Sequence, residues 1–332
     1  MPTTSFTFVL PVLNADGPAL ERALTSIRSQ DYPRELVQIV VADGGSTDGT
    51  RTTVARYDAR VVANPNRLAE WGVKEGMLVA AGDVAVVFAA DNELVGDDWL
   101  LRVAALFEAD ASLSAVFGRL VSGDDDPALN KYVELIQSEP LNWFLNRNLE
   151  WYLARAPKQT DGFAIFQVDP ARPLVWGANG LAVRADAARP AWRREGYVAD
   201  VDAFHAMIRA GHDRVAYLPA PYCFHHQVAS FGDMRRKWLR NSRQHLVNQA
   251  ASRDLDWVTV PGFRKRTLLW AVYSLFPPVS ATDALIRAWR DRSAYWLYHP
   301  VATFLQAVTY AQGFLGSRAG RRLLRQMLLR LD

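Results

Sequence analysis

Short uncharged runs alternate along this chain with segments whose apolar residues recur every three or four positions. Phe6–Leu13 is the first run, and Leu20, Leu24 and Ile27 follow at helical spacing after Gly17–Pro18, where proline suits a first turn. Val37–Ala42 predicts a second strand that closes on Asp43-Gly44-Gly45-Ser46-Thr47-Asp48-Gly49-Thr50. Ser46 or Thr47 is the expected cap of a helix running through Thr53–Tyr57. Val61–Ala63 predicts a third strand, Leu68–Ala81 a helix, and Val84–Ala90 a fourth strand. Apart from Ala85, Val84 to Phe88 is β-branched or aromatic, as a strand buried on both faces requires. The run stops at Asp91, Asn92 and Glu93. Asp97 or Asp98 is the expected cap of a helix over Trp99–Phe107.

Strands and helices joined by short links predict an α/β fold around a mostly parallel sheet. Such sheets bind ligands beyond the carboxyl ends of their strands. The pattern loosens from Ser122 to Pro173, which holds Asp124–Asp126, Tyr132–Ile136, Trp143-Phe144 and Trp151-Tyr152. A long excursion from a regular core reads as a functional loop, here a candidate acceptor loop over Tyr132–Tyr152. Order returns at Leu174–Arg184. A helix is expected at His205–Ala210 before Gly211, and a strand at Val215–Leu218 before Pro219–His226.

With 332 residues, half of them apolar, the chain is long enough for one large domain and an appendage. A single cysteine, Cys223, excludes a disulfide framework or a cysteine-rich zinc site and suits a reducing compartment. The first residues lack a basic n-region and a small-residue cleavage site, so no signal peptide is expected. Charge is strongly asymmetric. From Arg235 onward there are 17 Lys/Arg against 5 Asp/Glu, which leaves 21 against 30 in the first 234 residues. A basic appendage on an acidic body predicts an anionic partner surface.

Candidate chemistry gathers where strands end or helices begin. Asp43 and Asp91 close strands, Asp200 and Asp202 precede a helix, and His225 and His226 follow the Val215 strand. Carboxylates and an imidazole converging from separate strand ends suit a hard divalent cation or a general base. Each also has a plainer reading. Asp43 before two glycines fits a tight turn, Asp200 fits an N-cap, the histidines fit a structural pair, and Trp176-Gly177-Ala178-Asn179-Gly180 fits a bend.

The order PVLN, VVADGGSTDGT, FAADNE, WGANGLAVR, VADVD and YCFHH resembles the inverting family 2 glycosyltransferases of GT-A (Rossmann-like) fold, over roughly the first 240 residues. That resemblance implies transfer of a sugar from a UDP- or GDP-linked donor. It implies that Pro11 through Asn14 line the nucleotide pocket, that Asp43 bonds the base, and that Gly44 and Ser46 flank it. Ala90 and Asp91 would lie at the donor diphosphate, Asp91 being the last Asp of the family's DxD motif, with Ala89 in place of the first. Gly177, Asn179 and Gly180 would face the donor sugar and acceptor. Asp200 matches the general base of the family's "ED" motif, with Ala199 in place of the Glu. Asp91 and His225 would hold Mg2+ or Mn2+. Arg235-Arg236-Lys237-Trp238 only echoes the motif of processive members, so single-sugar transfer is expected. Arg236, Lys237 and Arg240 are candidates for the diphosphate's charge.

Past residue 240 the character changes. Ser293–Ser317 lacks Asp, Glu, Lys and Arg, but His299, Pro300, Gln306 and Gln312 argue against a simple spanning helix. Leu297, Val301, Leu305, Val308 and Ala311 form an apolar stripe with Thr303 and Gln306 away from it. Arg318, Arg321, Arg322, Arg325 and Arg330 among leucines read as a basic amphipathic helix at a membrane surface. A helical hairpin packed on the catalytic domain, or a dimer contact, is the alternative. Nucleic acid is not expected, because stacking aromatics do not interleave with the cations. The expectation is a catalytic domain over 1–230 and a helical membrane-associating region over 231–332. Together they predict a glycosyltransferase at the cytoplasmic face of a membrane with a lipid-linked or glycan acceptor. A sugar nucleotidyltransferase and a non-catalytic sugar-nucleotide-binding scaffold are the alternatives.

Overall fold

The computed structural model describes residues 2–159, 162–174, 179–250 and 263–329. Two compact units divide the chain, Met1–Gly123 with Asn148–His226, and Asp124–Arg147 with Gln227–Asp332. The division expected from sequence leaves 124–147 with the catalytic part, whereas its contacts belong to the second unit.

The first unit is built on one ten-stranded sheet. In chain order it holds β1 (Phe6–Val12), α1 (Pro18–Arg28), β2 (Val37–Asp43), α2 (Thr50–Ala55), β3 (Arg60–Ala63) and α3 (Ala69–Val79). Then come β4 (Val84–Val87), β5 (Asn92–Leu94), α4 (Trp99–Ala109) and β6 (Ala115–Val121). In the second unit α5 (Ala128–Ile136) and α6 (Pro140–Leu145) follow. The chain re-enters the first unit with α7 (Asn148–Leu153), β7 (Lys158–Gln159), β8 (Ala164–Gln167) and β9 (Leu181–Arg184). It completes that unit with α8 (Ala185–Trp192), α9 (Asp200–Arg209) and β10 (Arg214–His225).

Spatial order is β3-β2-β1-β4-β9-β6-β10-β8-β7, with β5 on β10. Four pairings are parallel and five antiparallel, so the sheet is mixed rather than mostly parallel. The parallel part is the half where a helix separates each strand from the next. β7, β8 and β9 arrive after the long excursion without a crossover helix and pair antiparallel. Phe6, Phe8, Leu10, Val84 and Val86 are buried, and Leu20, Leu24 and Ile27 of α1 and Trp99 of α4 close over them. Asp98 begins α4 without capping it and instead reaches Arg102, 3.1 Å away.

The second unit adds α10 (Phe231–Asn241), α11 (Phe263–Leu275), α12 (Pro277–Arg290), α13 (His299–Leu315) and α14 (Arg318–Leu329). Its core gathers Tyr132, Ile136, Met234, Trp238, Trp296 and Ala302. Tyr132 and Trp143 are thus packed inside this unit, while Trp151 and Tyr152 pack in the first. The excursion expected to be one acceptor loop is therefore two pieces of two cores. No described helix is long and apolar enough to cross a membrane.

Candidate active site

β1, β2, β3, β4, β6 and β10 run in one direction, which puts their carboxyl ends on one edge of the sheet. β9 runs the other way, so its start lies on that same edge, where Gly180 N–H donates to Val87 O at 2.9 Å. Every described candidate of the first unit sits there.

At the β1–β2 side the two strand ends are latched together. Gly44 N–H donates to Val12 O at 2.8 Å, Asn14 N–H to Ser46 Oγ at 2.8 Å, and Thr47 N–H to Asn14 Oδ1 at 2.9 Å. Asn14 adopts φ 48, the left-handed region that asparagine tolerates better than most residues. Pro11 pairs in register with Ala42, one residue before Asp43. Asp43 is buried. Its Oδ1 accepts from Ser46 N–H at 2.9 Å and Ser46 Oγ at 2.6 Å, and its Oδ2 accepts from Arg51 Nε at 2.6 Å. Burial works to raise the carboxyl's pKa, but the Ser46 bonds and the Arg51 guanidinium outweigh it and hold it below the ordinary value. Ser46 is therefore a partner of Asp43 rather than a helix cap. A carboxylate oxygen has two lone pairs, so a base donor can share this group without displacing Ser46. Arg51 was not among the sequence candidates. Its only sequence signal is that it follows Asp43 by eight residues, at the start of a helix.

At the centre of the edge β4 ends at Val87, and the next residues turn. Asn92 Oδ1 accepts from Ala89 N–H at 2.8 Å, which shapes the Ala89–Ala90–Asp91 bend. β5 then pairs antiparallel with β10, setting Asn92 opposite His225. His226 N–H donates to Asp91 O at 2.9 Å. Asp91 Oδ2 lies 3.7 Å from His225 Nε2, and the Asn179 amide stands 3.4 Å from His225 Nδ1. His226 takes a different neighbour, Glu93, at 3.4 Å. A carboxylate and an imidazole this close fit two positions around a hard divalent cation whose other positions go to phosphate oxygens and water. Among the described residues no group of three or more His, Cys, Asp or Glu surrounds one point. Glu93, named beside Asp91 in the sequence, turns to Arg22 at 3.9 Å and to His226.

Gly180 adopts φ +75 and its carbonyl accepts from Tyr222 OH at 2.8 Å. The Tyr222 ring lies where a Cβ of Gly118 would be, 2.3 Å from it, so a glycine on β6 admits the tyrosine that fixes Gly180. Gly177, with 175–178 as a whole, lies outside the described residues.

α9 begins at Asp200, with Ala199 at the N-cap. Asp200 Oδ1 accepts from Val201 N–H at 2.8 Å, so Asp200 is a first-turn residue and not the cap. The chain order fixes which edge this is. β9 leads to the amino edge, α8 returns, and α9 leads back to the start of β10, so the link before Asp200 is at the carboxyl edge. Lys74 of α3 donates to the carbonyls of Arg194 and Gly196, and Trp71 packs edge-on against Tyr197 with centroids 6.5 Å apart. Arg236, Lys237 and Arg240 belong to α10 in the second unit, where Arg236 pairs with Asp233 of its own helix.

A family model, Glycosyl transferase family 2, matches residues 7–172. That span contains Pro11, Asn14, Asp43, Gly44, Ser46, Ala90 and Asp91, and ends before Asn179, Asp200 and His225. A comparison with curated proteins finds no match. Among solved structures, the mannosyltransferase PcManGT from Pyrobaculum calidifontis in complex with GDP-Man and Mn2+ is similar at TM-score 0.50 and 20% identity. The match covers 98% of this chain and 81% of that one. TarS 1–349 from S. aureus is similar at TM-score 0.48 and 15% identity, over 94% and 92% of the two chains. At 20% identity the likeness to PcManGT speaks for the fold alone. With half of its length matched by the family model, on the sheet half that carries the strand-end carboxylates, this chain belongs to glycosyl transferase family 2.

Proposed function

We propose that the protein transfers a single sugar from a UDP- or GDP-linked donor to a lipid-linked acceptor, such as a polyprenyl-phosphate or a glycan built on one. The transfer inverts the anomeric carbon and takes place at the cytoplasmic face of a membrane. The observation that carries this reading is the shared carboxyl edge: the Asn14–Ser46–Asp43 latch, the Asp91–His225 pair and the first-turn Asp200 all open on it.

In this reading the latched loops seat the nucleoside, with Asp43 accepting from the base and Arg51 beside it. Asp91 and His225 hold Mg2+ or Mn2+, which when bound stabilises the negative charge of the departing diphosphate. Asn179 and Gly180, positioned by Tyr222, bound the space for the sugar. Asp200 sits at a helix N-terminus, which favours the ionised carboxylate that a general base must be. It takes the proton from the attacking acceptor hydroxyl, whereas an ionised phosphate acceptor has no proton to give and needs no base. Attack on the face opposite the diphosphate inverts the sugar carbon.

With a hydroxyl acceptor, replacing Asp200 by Ala tests the assignment. Turnover is expected to fall ~100- to 10,000-fold, with the melting-temperature rise produced by UDP or GDP and Mn2+ kept. Near-wild-type turnover rejects Asp200 as base. The same titration names the donor, because stabilisation grows by ~2.7 kcal/mol at a hundredfold excess of free ligand over its Kd.

A further inference from the structure

In the second unit α13 is packed with its polar side inward, beside the aromatic core of Tyr132, Trp238 and Trp296. On α13, His299, Ala302, Thr303, Gln306, Thr309 and Gly313 are buried. These positions recur at helical spacing and mark one face. Val301, Phe304, Val308 and Leu315 occupy the opposite face and are exposed. Of the apolar stripe read in the sequence, Leu297, Val301, Val308 and Ala311 thus point outward, and Leu305 is partly buried.

Thr309 Oγ1 apart, the inward polar groups are satisfied. Tyr273 OH donates to Asp283 Oδ2 at 2.6 Å and accepts from His299 Nε2 at 2.8 Å, which leaves Nδ1 to accept from Tyr132 OH at 2.7 Å. Gln306 Oε1 accepts from Leu141 N–H at 2.7 Å, while its Nε2 donates to Glu139 at 2.9 Å. Tyr310 OH donates to the same carboxylate at 2.7 Å.

The other two helices repeat the outward display. α11 exposes Leu268, Leu269, Val272 and Leu275, and α12 exposes Val279, Leu285, Ile286 and Trp289. Fifteen of the eighteen exposed large hydrophobic side chains among the described residues lie between Leu268 and Leu315. Ordinary surfaces do not concentrate them so. Cations border the display. Lys265 lies one turn before Leu268 and Leu269, Arg290 follows Trp289, and Arg318, Arg321, Arg322 and Arg325 are exposed along α14.

We propose that α11, α12 and α13 form a monotopic membrane-insertion face that enters the acyl region of one anionic leaflet, with the cations of α14, Lys265 and Arg290 at the headgroups. This deepens the membrane partner of the proposed function: the basic amphipathic end supplies attraction, and the three-helix face supplies depth. Polar interiors with apolar exteriors are the arrangement that a hydrocarbon solvent selects. No described helix is able to span, so the face inserts without crossing. An aqueous protein partner would instead be matched by polar rim contacts among the apolar residues.

The test uses the full chain and vesicles of phosphatidylglycerol with phosphatidylcholine, a fraction of them carrying brominated acyl chains. Trp289 is 84% exposed, and its emission, read as the difference between wild type and Trp289→Phe, is expected to shift to the blue and be quenched by the bromines. The substitutions Val272→Ser, Ile286→Ser and Phe304→Ser, all on exposed positions, are expected to lower vesicle partitioning by roughly tenfold each with the melting temperature unchanged. Leu78→Ser, on an exposed position of α3, is the control. Binding without bromine quenching would show headgroup adsorption alone and overturn the proposal. So would concentration-dependent self-association abolished by Ile286→Ser in place of vesicle binding. Donor hydrolysis without vesicles reports on the sugar-transfer reading separately, so either idea can fail alone.

Discussion

The two units of this chain differ in what they leave uncovered. In the first, Phe8 meets Phe88 edge-on with centroids 5.6 Å apart and Trp99 at a tilt in a hydrophobic core, and polar side chains go to the carboxyl edge. In the second, α13 turns histidine, glutamine and threonine inward beside a core of Tyr132, Trp238 and Trp296, and fifteen large apolar side chains, Trp289 among them, stay outside. The difference teaches that a hydrophobic count does not locate a core, since the more apolar face of α13 is the one left uncovered.

The contrast is sharpest for two tryptophans. Trp99→Ala is expected to destabilise the protein by ~3–5 kcal/mol, because it empties a fully buried site, whereas Trp289→Ala stays within ~0.5 kcal/mol. Chemical denaturation of both variants in detergent-free buffer checks this, and a comparable loss at Trp289 would mean that its face is covered in solution. Next in size is a pH effect confined to the second unit. Burial, with Arg287 adding to it and Asp283 opposing, pushes the His299 imidazole down to about 4. The unfolded chain takes up a proton on this ring as pH falls through ~6.5, while the folded one does not. Its contribution is therefore present above that pH and is lost as the pH drops from there to about 4, on the order of 3 kcal/mol in all. A melting series between pH 7 and 4 for wild type and His299→Asn reads it, the variant being expected to lose that slope.

A smaller test returns to the first unit. Gly118→Ala drives a Cβ into the Tyr222 ring and is expected to cost ~1–3 kcal/mol. Because Tyr222 holds Gly180, donor KM should rise along with it. Tyr222→Phe, which removes only the hydroxyl, separates packing from positioning. The smallest effect expected is at Arg51, whose side chain is 63% exposed. Arg51→Ala should cost less than ~1 kcal/mol in stability. Isothermal titration with UDP and GDP then shows whether the guanidinium contributes to base recognition beyond holding Asp43.

Much of the edge was legible before the fold. Asp43 follows an apolar strand broken only by Gln38 and Asp91 follows an uninterrupted apolar run, and that pattern alone puts a carboxylate at a strand's end. Which partners they take was not legible. The Asp91–His225 approach depends on β5 pairing with β10 across more than 130 residues of chain, and Asp43's pairing with Arg51 depends on the turn before α2. His225 and His226 are adjacent and alternate across the strand, so their separate neighbours, Asp91 and Glu93, follow from β10's register.

By itself the sequence determined the first four strands and the helices between them, that carboxylates cluster after strands, and that the basic, apolar end differs in kind from the acidic body. Those are local properties, set by side-chain period and composition. The tertiary structure alone decided the antiparallel half of the sheet, the transfer of Asp124–Arg147 to the helical unit, and the outward turn of the α13 stripe. Periodicity shows that a helix has two faces. Only the partners that satisfy Gln306 and His299 decide which one is turned inward.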